Sequence, residues 1–187
     1  ESPTGCWTTH HSLVEYKGEW YLFYHHNAFS PHFDKNRSAR IDRLSFNEDG
    51  TIQEVMPTLR GVGPVKASSR VEIDRYRSIE GARIEYLDTA DYFRGWKTVF
   101  TNPGDAVCFN ELDFGVKAPC SVTFAVKSPE GGRMALTAGK TAEFNIPASE
   151  GWIEVTCDMP FKVSNMQDIK VELVSGSEIE VDWITFR

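Results

Sequence analysis

A hairpin rich in aromatic residues near the start of the chain constrains the fold most strongly. Apolar and aromatic side chains recur at every second position on both sides of Lys17-Gly18, between residues 11 and 26. This period is typical of two antiparallel strands joined by a tight turn. Two strands alone bury too little surface to be stable in water. The sequence therefore predicts that the hairpin belongs to a larger assembly of strands.

The hairpin continues into a predicted four-stranded antiparallel unit, the size of one blade of a β-propeller. Asp49-Gly50 favours a hairpin turn before its last strand. A lone blade leaves its faces and edges bare, so we expect it to pack on the domain that follows or on blades from another polypeptide. The four predicted strands are residues 10–16, 19–26, 38–46 and 51–56.

The second half of the chain predicts an all-β sandwich. Residues 63–69 close a stretch rich in Gly, Ser and Pro, and are predicted to be a linker. After it, short segments alternate apolar and polar residues between Gly and Pro turns, which is typical of a jelly-roll sandwich. The predicted strands are residues 71–76, 82–87, 105–109, 121–127, 133–138, 142–146, 152–157, 169–174 and 178–186.

Composition excludes several classes of partner. The 187 residues carry a formal charge of −7, which disfavours nucleic acid and anionic lipid because both require clustered Lys and Arg. No run of apolar residues is long enough to span a membrane. The chain lacks both an initiator Met and an apolar signal region. We therefore expect a processed, cleaved or engineered product whose natural start lay upstream.

The cysteines do not form a metal motif. Cys6, Cys108, Cys120 and Cys157 have no CxxC spacing and no matching His pattern, so zinc is not favoured. Cys108 and Cys120 could face each other if their strands pair, or all could be buried free thiols.

His10-His11, the turn and the Trp20–His26 run resemble the start of the last blade of the five-bladed propeller of family 43 glycoside hydrolases. The resemblance continues through residues 36–42 and 46–52 and ends near Val62, so the first domain is predicted at residues 1–62. In that family the catalytic carboxylates of an inverting reaction come from earlier blades. The resemblance therefore implies no catalytic residue in this chain.

Two residues of the blade acquire implied roles from this resemblance. His10 matches the family histidine that reaches into the propeller channel and contacts a calcium ion or its water shell. Imidazole is an unusual calcium ligand, so the implied role is to organise water and a neighbouring carboxylate. Arg37 matches an arginine near the substrate sugar, where its donors would fork onto hydroxyls. The alternatives are a backbone-bonded histidine and a solvated arginine.

Residues 71–76, 102–115 and 181–186 resemble three ordered motifs of family 6 carbohydrate-binding modules, which predicts such a module at residues 70–187. The family's cleft between loops uses two aromatic rings and an Asn. Trp152 matches one ring. Phe100 aligns best with the other, and Trp96 and Tyr92 are alternates. Glu180 stands where binding members usually carry Asn; because an ionised Glu only accepts hydrogen bonds, the cleft could take another ligand or be silent.

The same resemblance implies a structural calcium ion in the sandwich. Glu72, Asp74 and Asp182 occupy the positions where the family holds calcium between its first and last strands, and carboxylate oxygens suit this ion. The alternative is a set of exposed acids at strand ends. Trp183 alternates with Val181 and is predicted to lie in the core.

Together the patterns predict the C-terminal part of a plant-polysaccharide hydrolase acting as a β-xylosidase, α-L-arabinofuranosidase or arabinanase. We expect the sandwich to bind xylan or arabinoxylan, and this chain to bind without cutting. A competing hypothesis makes the sandwich a packing module without sugar affinity. In a third, other polypeptide segments complete the propeller. The implied location is secreted, periplasmic or on a bacterial cell surface.

Overall fold

The protein is all-β, as the sequence predicted. The computed structural model describes residues 10–26 and 37–187, in which strands account for the regular structure apart from a 3-10 turn at Tyr92–Arg94. The described residues contain no apolar helix of the length that a membrane crossing requires. The chain divides into two compact units, Glu1–Val62 and Gly63–Arg187.

The first unit is a three-stranded antiparallel sheet. β1 (His11–Tyr16), β2 (Glu19–His26) and β3 (Ser38–Leu44) lie in that order, and β2 pairs with both neighbours. The fourth strand predicted at residues 51–56 is reduced to one isolated bridge between Phe46 and Ile52.

Hydrogen bonds to one buried carboxylate explain why the fourth strand is so short. Beyond Ile52, the chain is drawn to Asp42 on β3. The backbone nitrogen of Thr58 donates to Asp42 Oδ2 at 3.2 Å, and its hydroxyl donates to Oδ1 at 2.5 Å. The Tyr24 hydroxyl also donates to this carboxylate, at 2.6 Å. Burial, together with Asp42, raises the pKa of Tyr24 to about 12.

Both faces of β1 remain open to solvent. Leu13 and Val14 are neighbours in sequence, so their side chains point to opposite faces, yet they are 39% and 40% exposed. A stable sheet normally covers at least one apolar face. The exposure on both faces is what the blade prediction expects of a sheet that other blades would cover.

The second unit contains two six-stranded sheets. Sheet A has the order β13-β10-β15-β8-β7, with β5 also paired to β15; sheet B has the order β12-β11-β14-β9-β4, with β6 also paired to β9. The strands are β4 (Val65–Lys66), β5 (Val71–Glu72), β6 (Ser78–Glu80), β7 (Arg83–Tyr86), β8 (Trp96–Phe100), β9 (Ala106–Asp113), β10 (Ser121–Ser128), β11 (Gly132–Ala138), β12 (Lys140–Ile146), β13 (Ser149–Asp158), β14 (Met166–Gly176) and β15 (Ile179–Phe186).

Each of the nine strands predicted for this unit is found, but three further strands were not predicted. These are β4, β6 and β8. β4 lies within residues 63–69 and pairs in parallel with the end of β9, and the adjacent Ala67 is buried. This segment is therefore part of the sandwich and not a free linker.

A continuous apolar core fills the sandwich and draws on both sheets. Phe100, Phe124 and Phe186 come from sheet A, while Met134 and Leu173 come from sheet B, and all five are almost completely buried. Burying each such side chain stabilises the fold by about 1.5–3 kcal/mol. Cys108, Cys120 and Cys157 are free thiols; Cys6 lies outside the described residues.

Candidate functional site

Two tryptophans on the outer face of sheet A line a pocket of about 460 Å³, here called the tryptophan pocket. Trp152 lies near the start of β13 and is 39% exposed. Trp183 comes from β15, with Ala125 of β10 paired directly opposite it. Because β10 lies between β13 and β15 in the sheet, the two tryptophans reach one pocket from different strands.

A β-bulge explains why Trp183 points outward, although the sequence predicted it in the core. Val126 pairs with Val181, but the preceding Ala125 pairs with Trp183, so Asp182 is an extra residue in β15. An extra residue interrupts the alternation of faces and redirects the side chains around it. Val181 and Ile184 are therefore fully buried, while Trp183 is partly exposed in the pocket.

Charged groups surround the two rings. Glu154 and Asp182 lie on the strands of sheet A, while Asp88 and Arg94 come from the connection between β7 and β8. Arg94 Nη1 lies 3.2 Å from Asp88 Oδ2. The backbone N–H of Ala90, assisted by Arg94, holds the pKa of Asp88 below its usual value. Burial, assisted by Glu72, raises the pKa of Asp182.

This arrangement suits a pyranose sugar. Flat aromatic rings accommodate the apolar C–H face of a pyranose, and a small number of polar groups can then bind its hydroxyls. Carboxylates accept hydrogen bonds from hydroxyls, whereas the Arg94 guanidinium donates to hydroxyl oxygens. The pocket thus combines the surfaces and the hydrogen-bonding groups that sugar recognition requires.

The prediction that Phe100 forms an aromatic platform is wrong, because Phe100 has no exposed surface. It lies on β8 directly opposite Ile179 of β15, another fully buried core residue. The alternate, Trp96, stacks on Tyr86 with ring centroids 4.2 Å apart. The side chain of the other alternate, Tyr92, lies outside the described part of the structure.

Glu180 forms ion pairs with two lysines. Its carboxylate is 2.7 Å from Lys97 Nζ and 3.8 Å from Lys127 Nζ, and Lys97 also lies 3.6 Å from Glu85. Glu180 is 6% exposed. A carboxylate that two lysines hold at this burial has little freedom to meet a ligand. Its predicted place beside bound sugar is not tested directly, and Glu180 is not among the residues that line the tryptophan pocket.

The three acids predicted to hold calcium do lie near the junction of β5 and β15. Glu72 pairs with Trp183, and the backbone nitrogen of Ile73 donates to the Asp182 carbonyl. However, Arg70 binds both Glu72 and Asp182. Among residues 10–26 and 37–187, no group of three or more Asp, Glu, His or Cys side chains has an arrangement that could hold a metal ion. The described geometry does not fit the calcium site that the resemblance implied.

Asp74 is the most buried of these acids, at 8% exposure. Burial raises its pKa to about 6, and the charges of Glu72 and Asp182 add to the effect. A carboxyl group with a raised pKa in the folded state stabilises the fold at low pH. That contribution is fully present below pH 3.8, the unfolded value, and is lost as pH rises through about 6.

We therefore expect Asp74→Asn to raise the free energy of unfolding at pH 7.5 by roughly 2 kcal/mol, because it removes a buried charge. The gain should shrink towards zero near pH 4. Urea denaturation of wild type and variant at a series of pH values measures both effects. A lower stability of the variant at pH 7.5, as for a lost cation ligand, would contradict this account.

The two blade residues with implied roles both lie at strand entries. His10 is exposed just before β1, and its ring centroid is 5.9 Å from that of His25. Arg37 is exposed just before β3. Neither a channel cation near His10 nor a sugar contact of Arg37 is tested by this arrangement, so both stay predictions.

Known proteins match this chain over different shares of its length. No protein-family model matches the chain. A β-xylosidase from Xylanibacter ruminicola is 45% identical over 53 residues, which are 28% of this chain and 17% of the xylosidase. The chain thus spans about a sixth of the length of this relative.

Two solved structures share the fold. A family 43 arabinoxylan arabinofuranohydrolase from Bacillus subtilis, in complex with cellotetraose, has a TM-score of 0.66 at 23% identity, covering 96% of this chain and 40% of that chain. A family 6 carbohydrate-binding module from Clostridium cellulolyticum, in complex with xylose, has a TM-score of 0.58 at 20% identity, covering 66% of this chain and 99% of that chain. As the sequence predicted, the chain resembles the C-terminal part of a family 43 glycoside hydrolase followed by a family 6 carbohydrate-binding module.

Proposed function

We propose that the sandwich binds a neutral polysaccharide, xylan or arabinoxylan, in the tryptophan pocket. The observation that carries the proposal is the presence of Trp152 and Trp183 in one solvent-open pocket, with Arg94 and three carboxylates as hydrogen-bonding groups. Aromatic rings with a few convergent polar groups are the usual composition of small-ligand sites. The solved module of the same fold that is complexed with xylose supports this ligand class.

The charge of the pocket favours uncharged sugars. Asp88 is paired with Arg94 and Asp182 with Arg70, so Glu154 leaves the pocket with a net negative charge. An acidic sugar such as a uronate would meet net repulsion there, whereas xylose and arabinose units carry only hydroxyls. We therefore expect neutral arabinoxylan to bind better than a glucuronate-substituted xylan of similar length.

For the parent protein we propose a glycoside hydrolase of the β-xylosidase or α-L-arabinofuranosidase type, working by inversion. The similarity of about 53 residues to a β-xylosidase supports this activity. Inversion needs one carboxylic acid to protonate the leaving oxygen and a second carboxylate to activate water. Blades outside this chain would supply both groups and would cover the open faces of β1. The parent would act outside the bacterial cell, where its polymeric substrate is found.

Isothermal titration calorimetry of the whole chain with xylohexaose tests the binding proposal. We expect saturable binding of xylohexaose and of arabinose-substituted xylo-oligosaccharides, with weaker binding of a glucuronate-substituted one. Chromatography of the sugar after the titration should show no hydrolysis. If no xylo-, arabino- or cello-oligosaccharide binds at millimolar concentration, the proposal fails.

One observation favours the second candidate, a packing module without sugar affinity. The family resemblance predicted a sugar-binding cleft between loops, but Phe100 is buried and cannot offer an aromatic surface there. At the position of the expected Asn, Glu180 forms ion pairs with two lysines. That cleft would therefore be silent. The titration separates the two candidates, because the tryptophan pocket needs neither residue.

A further inference from the structure

Arg70 connects the short strand β5 to β15, the last strand of the sandwich. Its Nε lies 2.7 Å from Glu72 Oε1 on β5. Its Nη2 lies 3.0 Å and 3.1 Å from the two carboxylate oxygens of Asp182 on β15. Its guanidinium carbon is 5.5 Å from the centre of the Trp183 ring, within the range of a cation–π contact. A single side chain thus contacts three residues on two strands.

Apart from the contacts of Arg70, the pairing between β5 and β15 is short. β5 has two residues and pairs with β15 through Glu72 and Val71 alone. The backbone nitrogen of Ile73 adds one hydrogen bond to the Asp182 carbonyl, at 2.9 Å. This short pairing holds Glu72 and Asp182 close to each other, and their like charges repel unless a cation offsets them.

We propose that the Arg70 guanidinium is a permanent cation that offsets the repulsion between Glu72 and Asp182 and holds β5 on β15 without a metal ion. The proposal departs from the family resemblance, which implied calcium at this junction. The two carboxylates lie on different groups of one planar guanidinium fork, a geometry that arginine supports and that a lysine ammonium cannot reproduce.

A double-mutant cycle that compares melting temperatures tests the proposal. Arg70→Gln should lower the melting temperature of the sandwich by about 5 °C, and Arg70→Lys should lose less because it keeps the charge. Glu72→Gln should lower the melting temperature of wild type, since it removes a partner of Arg70. In the Arg70→Gln background the same change should raise it, because it relieves the exposed repulsion. If Glu72→Gln has the same sign in both backgrounds, the proposal is overturned.

The effect of calcium on the melting temperature is a second, independent test of the proposal. The melting temperature of the wild-type chain should be the same with millimolar calcium as with a chelator, because the junction already holds a cation. A calcium-dependent increase in wild type that Asp182→Asn abolishes would overturn the proposal. The matched control is Arg133→Gln, which breaks an exposed 2.7 Å pair with Glu143 on sheet B and should leave the melting temperature nearly unchanged.

Discussion

Replacing Trp152 by alanine is expected to weaken binding of xylohexaose by a factor of about 30 to 150, while the fold persists. The ring supplies one of the two aromatic surfaces of the tryptophan pocket. A central aromatic residue of a binding site contributes roughly 2–3 kcal/mol, which corresponds to this loss of affinity. Because Trp152 is 39% exposed, its removal should cost roughly 2 kcal/mol of stability, less than deletion of a fully buried tryptophan.

Trp96→Ala is the matched control for this prediction. Trp96 stacks on Tyr86 and is not among the residues that line the tryptophan pocket, so its loss should lower stability and leave affinity unchanged. Calorimetry and thermal melting of both variants separate the two effects. A stability loss of about 3–5 kcal/mol in Trp152→Ala, the cost of deleting a buried tryptophan, would show that Trp152 belongs to the core instead.

The second large effect is expected at Glu180. Glu180→Leu should destabilise the sandwich by roughly 3 kcal/mol, because it leaves the largely buried Lys97 ammonium without its nearest carboxylate. Glu85 remains 3.6 Å from Lys97, which keeps the expected cost at the lower end for a broken buried pair. The double variant Lys97→Met with Glu180→Leu should recover most of the loss, since it removes both buried charges.

Glu143→Leu is the control for this cycle. Glu143 makes an ion pair of the same 2.7 Å length with Arg133, but both side chains are about half exposed. Its loss should therefore cost less than about 1 kcal/mol. Urea denaturation of the wild type and the three variants gives the comparison. Equal costs for Glu180→Leu and Glu143→Leu would contradict a structural role for the Glu180 network.

The sequence predicts the sheets well because their period-two alternation is unbroken along most strands. β10, β11 and β15 were predicted at nearly their observed positions. β8 was missed because Trp96–Phe100 does not alternate cleanly between apolar and polar residues. This omission also explains the wrong role for Phe100, which was placed in a loop although its strand turns it into the core.

The candidate site was only half predictable. Trp152 was found from its match to one ring of the family's cleft, but Trp183 was assigned to the core because simple alternation cannot detect a bulge at Asp182. Asp88 and Arg94 were not predicted at all, since their position depends on how the connection after β7 folds over sheet A. Arg70 had a detectable signal, a cation two residues before Glu72, that counting acids alone overlooks.

The indole N–H signals of the five tryptophans offer the most direct measurement of the central claim. In a two-dimensional proton–nitrogen NMR titration of the labelled chain with xylohexaose, the signals of Trp152 and Trp183 should shift together with one dissociation constant. The signal of Trp96, which lies in the same unit but does not line the pocket, should stay in place. Shifts confined to Trp96, or no shift of any indole signal at saturating sugar, would contradict binding in the tryptophan pocket.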